Sequence, residues 1–193
     1  MTSNKLNYQD KLFIFTVLFF AIGFLHISFA VLGLICFITP FVLFWIYDDK
    51  IWCKFFCPRA GFFNRVLSKI SLKKPMPKWL TGQTIKKIVL TYFGINLFFI
   101  TMSTIMVSID KIAPVDQIRF MIMFPLPINM PQILNLSVPA PLLHLGYRVY
   151  SVMFSSTIIG LILGFIYSPR TWCIICPIQT LTTKEKQPTR ASS

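Results

Sequence analysis

Apolar residues in this chain come in long unbroken blocks, neither alternating as in a half-buried strand nor striped as in a soluble helix. Residues 12–47, 88–108 and 149–167 contain no Asp, Glu, Lys or Arg. A helix needs about 20 apolar residues to cross roughly 30 Å of hydrocarbon. The first block is too long for one span and suits two, with a turn near residues 25–30 around His26 and Ser28. One long tilted helix is the rival arrangement. The pattern therefore predicts an all-α membrane protein, a single integral membrane domain over 1–193, with about four transmembrane helices. The expected spans are 12–27, 30–47, 88–108 and 149–167. His26 is expected to cap the first turn. A secretory signal has an apolar core of only about 7–15 residues, so no cleavage is expected after Ala30.

Two interruptions differ in character. The 48–87 loop is basic, from Lys50 to Lys87. After Pro58, residues Phe62, Phe63, Val66, Leu67 and Ile70 recur at helical spacing, with Arg65 and Lys69 on another face. That predicts a short helix lying in the membrane interface, opened by Pro58 and ended by Pro75 and Pro77. The 109–148 segment carries Pro114, Pro125, Pro127, Pro131, Pro139 and Pro141, is too interrupted to span, and is expected to fold onto the outer helix ends. Its Met121, Met123 and Met130 are soft donors of the copper-binding kind, but methionine is also common filler, and filler is the role assigned. Gly160 and Gly164 form a G-x-x-x-G step in the last span. Such a step admits a close neighbour, and packing within the chain is preferred to dimerisation.

Composition agrees with the blocks: 55% of residues are apolar and 13% charged, about half the charge of a soluble domain. The net charge of +13 belongs to loops against an anionic membrane surface rather than to nucleic-acid binding. All but Lys111, Arg119 and Arg148 of the 19 basic residues fall in 1–11, 48–87 and 168–193. The positive-inside rule puts those segments, and both termini, in the cytoplasm.

Chemistry concentrates in the cysteines. One patch reads Trp52-Cys53-Lys54-Phe55-Phe56-Cys57-Pro58, the other Trp172-Cys173-Ile174-Ile175-Cys176-Pro177. Each follows an even-numbered span, giving two pseudo-repeated hairpins, each ending in a cytoplasmic Cys-Pro motif. Reduced cytoplasmic thiols argue against disulfides, and four thiolates from two loops suit zinc or an iron–sulfur cluster. The C-x3-C-P tail, known from bacterial ferredoxins, favours the cluster. The apolar neighbours would exclude water from it, and Lys54, Arg59 and Arg170 would offset its negative charge. Cys36 has no such frame and reads as a small apolar filler.

These two patches resemble the membrane portion of NapH/NosR-type, CcoG-like iron–sulfur proteins. The likeness rests on Trp52-Cys53…Cys57-Pro58 and Pro169-Arg170-Thr171-Trp172-Cys173…Cys176-Pro177. The second spacer is two residues rather than three, Gln179 stands where that family has glycine, and the ferredoxin run of the larger members is missing. The chain thus looks like a minimal, membrane-only relative. The resemblance implies electron transfer at the cytoplasmic membrane, with Cys53, Cys57, Cys173 and Cys176 as ligands of one [4Fe–4S] cluster.

The expected function is accordingly a one-electron carrier, or a subunit of an oxidoreductase complex rather than a stand-alone enzyme. It would relay electrons between a cytoplasmic donor or the quinone pool and a redox partner protein. The basic loop would attract an acidic donor such as ferredoxin or flavodoxin. A cluster at one face cannot bridge the hydrocarbon alone, so a bound quinone or a partner subunit would complete the path. His26 and His144 are the lone candidates for a second site. The alternatives are a structural four-cysteine zinc site and a quinone-linked thiol–disulfide oxidoreductase. The spans carry no charged residue for an intramembrane proton relay, and the chain has no phosphate loop or H-E-x-x-H motif.

Overall fold

The computed structural model describes residues 3–47, 52–115, 117–121, 124–125 and 138–182. In order they form α1 (Ser3–Leu25), a 3-10 turn (Ile27–Leu32), α2 (Gly33–Tyr47), a π turn (Trp52–Phe56) and α3 (Pro58–Leu67). There follow α4 (Lys78–Thr81), α5 (Gln83–Ser108), the two-residue strands β1 (Arg119–Phe120) and β2 (Phe124–Pro125), α6 (Ala140–Ile166), α7 (Thr171–Ile175) and α8 (Pro177–Leu181). Three helical stretches are long and apolar enough to cross a membrane: 27–47, α5 and α6. The apolar part of α1, Lys11–Leu25, is shorter. At 1.5 Å per residue it extends only about 22 Å.

His26 breaks the first block. Its backbone is extended (φ −160°, ψ 131°), and its Nδ1 accepts the Ser28 N–H at 3.2 Å. The ring thus caps the 3-10 turn that leads into α2, and a single long helix is excluded. α1, α2 and α5 turn large apolar side chains outward, among them Phe15, Ile35, Trp45 and Phe98. So much exposed apolar surface fits lipid contact.

α6 is the central helix. Tyr147 and Tyr150 join Ile27, Ala30 and Ile118 in one core, flanked by Phe19, Phe20 and Phe154. Nearer its other end a second core holds Phe63, Leu67, Leu80, Trp172 and Ile175. The two cores are separated by Met153, the midpoint of α6, about 20 Å along the axis from either end.

The G-x-x-x-G step explains the second core. Phe63 lies where a Cβ at Gly160 would be, and Leu67 Cδ1 where one at Gly164 would be. α3 therefore packs directly onto α6 between it and α1, with Arg65 over the Phe13 ring at 5.1 Å. This corrects the interfacial helix expected over 58–70. α3 exists, but Phe63 and Leu67 are 0% and 4% exposed, and it ends before Pro75. Its Arg59 Nη2 donates to the Met153 carbonyl at 3.3 Å. The helix thus starts beside the middle of α6 and climbs toward its end, so the 52–67 segment re-enters the bundle.

After α3 the basic segment docks on the end of α6. The N–H groups of Leu72 and Lys74 donate to the carbonyls of Phe165 and Ile166 at 2.8 and 3.3 Å. These satisfy carbonyls that a helix end leaves unpaired, and the lysines suit its negative end.

Val115, Arg119 and Met121 of the proline-rich segment also lie against α6. The N–H groups of Val115, Arg119 and Met121 donate to His144 Nδ1, Ser151 Oγ and Ser155 Oγ at 3.1, 3.1 and 3.0 Å. Tyr92 of α5 donates to the Met121 carbonyl at 2.9 Å. Extended backbone inside a membrane-type bundle requires such partners, and the polar positions of α6 supply them. β1 and β2 then pair antiparallel.

Candidate metal centre

Both Cys-Pro motifs fold alike. Cys57 follows the π turn with extended backbone (φ −70°, ψ 108°) and forms the N-cap of α3, with Pro58 in the first turn. Cys176 follows α7 in the same way (φ −59°, ψ 128°) and forms the N-cap of α8, with Pro177 in the first turn. Proline is tolerated there because that N–H has no helical partner. In both, the cysteine carbonyl accepts the N–H four residues on, from Gly61 at 3.4 Å and from Thr180 at 3.0 Å.

The two motifs converge. Cys53, Cys57, Cys173 and Cys176 line one cavity of about 50 Å³, with Trp52, Phe63, Trp172, Arg59 and Met153 in its wall. Cys36 of α2 lines it as well. Nothing in the sequence pairs Cys36 with a partner. The signal available was its register with buried Gly33 and Pro40 on one face of α2. All five cysteines are half-buried. Among the described residues, no three His, Cys, Asp or Glu side chains are grouped to hold a metal ion.

Burial pushes the Cys57 thiol well above its ordinary range, and the neighbouring Cys173 adds to the shift. Burial likewise pushes Cys173 up to about 11, with Cys176 and Cys53 adding and Arg170 and Arg59 opposing. A nucleophilic cysteine needs the opposite shift.

Arg59 is the charged group of the site. It contacts the Met153 carbonyl and Sδ and has no carboxylate partner among the described residues. It lines the cysteine cavity and both larger cavities that flank it. Trp172 Nε1 is a buried donor with no acceptor among the described residues, in a side chain only 9% exposed.

The flanking cavities are apolar. One, of about 190 Å³, lies between α5, α6 and α8, reaching from Trp172 and Cys176 to Tyr92, Asn96 and Met121. The other, of about 510 Å³, is a cleft between α1 and α2 with Cys36, Trp52 and Arg59 in its wall.

The chain matches no family model, no curated protein and no solved structure.

The other sequence candidates fall elsewhere. His144 is 1% exposed, and both ring nitrogens are engaged, Nδ1 by Val115 N–H and Nε2 by Ser103 Oγ at 3.0 Å. His26 caps a turn. Met121 lines the 190 Å³ cavity, and Met123 and Met130 lie outside the described residues. The Lys54 side chain is also outside them.

Proposed function

We propose that this chain is a membrane-embedded electron-transfer protein. Cys53, Cys57, Cys173 and Cys176 would hold one [4Fe–4S] cluster between the two halves of the helical bundle. The observation that carries the reading is Arg59, a cation held at the midpoint of α6 with no carboxylate partner among the described residues, in the wall of a cavity bordered by thiols. A positive charge removed from water needs an anion nearby, and a centre with four thiolates supplies one.

The donor set fits such a group. A single zinc ion draws four sulfurs to about 2.3 Å from one point. A four-iron cluster distributes its thiolates over separate irons and suits cysteines spread along a cavity wall. The unpaired Trp172 Nε1–H is a donor for a sulfur acceptor. Trp52, Phe63 and Trp172 keep water away, which tunes a redox centre. When bound, a cluster supplies one-electron transfer.

The rest of the path follows from placement. Lys/Arg bias puts the basic loop and both termini in the cytoplasm, with α1 as a fourth, short span whose Lys11 snorkels. Lys69, Lys73, Lys74 and Lys78 are exposed there and would receive an acidic ferredoxin- or flavodoxin-like donor. The 190 Å³ apolar cavity shares Trp172 and Cys176 with the cysteine cavity and suits the ring of a membrane quinone.

Anaerobic purification tests the reading. A brown protein whose reduced form gives an iron–sulfur EPR signal, titrating as a one-electron couple, supports it. Zinc without sulfide would leave a structural site and remove the electron-transfer role.

A further inference from the structure

Lys111, Arg119 and Arg148 stand apart from the basic segments of the chain. Lys111 is exposed, whereas Arg119 and Arg148 are half-buried. The fold brings those two to one place. The Arg119 N–H donates to Ser151 Oγ at 3.1 Å, and Arg148, three residues before Ser151, shares that face of α6. The two guanidiniums are close enough to interact electrostatically, with each other and with the His144 ring. The ring adds no charge, because its Nδ1 accepts the Val115 N–H and leaves only Nε2 to carry a proton.

Two like charges repel, and each guanidinium is also short of acceptors. Arg119 Nε and Arg148 Nε are buried without a hydrogen-bond partner. Among the described residues neither side chain pairs with a carboxylate, and Asp116 lies outside them. Adjacent cations stripped of part of their hydration call for an anion. Both side chains keep part of their surface exposed, so an anion from outside can reach them.

Depth selects the anion. Arg148 immediately precedes the charge-free run 149–167. From Arg148 to the end of α6 at Ile166 is about 27 Å, close to the roughly 30 Å of bilayer hydrocarbon. The pair therefore sits where hydrocarbon gives way to headgroups, toward the end of α6 remote from Leu72 and Lys74. The phosphates of that layer match a guanidinium fork, accepting two parallel N–H···O bonds.

We propose that Arg119 and Arg148 form a binding site for the phosphate of a single phospholipid, in the leaflet opposite the basic loop. The site requires only that α6 spans the membrane and is independent of the iron–sulfur reading. A phosphate that bridges the two arginines ties β1 to α6 and supplements the Ser151 hydrogen bond.

The test uses the full chain, delipidated in non-ionic detergent, as wild type, Arg119→Gln, Arg148→Gln, the double variant and Lys73→Gln/Lys74→Gln. Native mass spectrometry and thermal unfolding follow the addition of phosphatidylglycerol, of diacylglycerol, which lacks the phosphate, and of inorganic phosphate. Wild type is expected to bind one phosphatidylglycerol most tightly and to melt higher with it, and to gain nothing from diacylglycerol. Each Arg→Gln change should weaken that binding by about tenfold or more, the scale of a lost charge-assisted hydrogen bond. Lys73→Gln/Lys74→Gln should leave it unchanged. Without lipid the double arginine variant should melt no lower than wild type, which separates a lost ligand from a lost fold. Inorganic phosphate that stabilises as much as the lipid would overturn the lipid assignment. Tightest binding kept by the arginine variants but lost in the lysine variant would overturn the site. A double arginine variant that melts lower without lipid would also overturn it, by giving the arginines a partner within the chain.

Discussion

At the scale of single residues, Arg59 decides more than any cysteine. Its guanidinium holds the Met153 carbonyl and has no acid opposite it among the described residues, so its contribution is expected to change sign with the state of the site. Without metal it is a half-buried cation with no acid partner among the described residues. With a four-thiolate centre it becomes one half of an ion pair. Arg59→Met is therefore expected to raise the stability of the metal-free chain by about 1–3 kcal/mol and to lower that of the loaded chain by a similar or larger amount. Denaturation of the two forms side by side checks this; loss of stability in both would contradict it. The thiols give a second prediction. Cys173, raised from 9.0 to about 11, carries about a hundredfold less thiolate at neutral pH than an ordinary cysteine. Because the thiolate is the reactive form, metal-free Cys57 and Cys173 should alkylate slowly at pH 7, and Cys173 should speed up as pH rises through 9–11. Rapid labelling at pH 7, read by mass spectrometry, would show that burial does not govern them.

At the scale of elements, the α3–α6 contact sets the depth of the site. Helix propensity alone would make Gly160→Ala stabilising by about 1 kcal/mol. Here the new Cβ meets the fully buried Phe63 ring, and overpacking of this kind costs about 1–3 kcal/mol. Gly160→Ala should destabilise the protein and reduce its metal load, and adding Phe63→Leu should restore part of both. A double-mutant cycle in thermal unfolding measures the coupling; simple additivity would mean that α3 does not rest on Gly160. This contact also marks the limit of what the sequence could reveal. Charge-free blocks identify apolar helices because membrane helices are written in local composition, and the repeated Trp-Cys…Cys-Pro frame picks out four cysteines that line one cavity because each motif is local. The depth of α3 and the role of Gly160 depend on side chains about a hundred positions apart, and Cys36 lines the cysteine cavity from a different helix. The 58–70 pattern looked interfacial because local periodicity cannot tell a face turned to lipid from one turned to α6.

At the scale of the molecule, polar chemistry is gathered around α6. Its His144, Ser151 and Ser155 hold the backbone of Val115, Arg119 and Met121, its Gly160 and Gly164 seat α3, and its midpoint receives Arg59. The cysteine cavity reaches that midpoint at Met153, about 20 Å along the axis from either end of α6. Apolar cavities adjoin it on two sides, and exposed lysines crowd the end where α3 and α6 finish. The account stands on one claim, that cysteines from both motifs hold a single cluster. The most direct measurement is the iron and acid-labile sulfide content of anaerobic wild-type protein beside Cys57→Ala and Cys176→Ala. About four irons and four sulfides per chain, lost in either variant, is the predicted result. Iron retained in both variants, or wild-type protein that holds zinc and no sulfide, would contradict it.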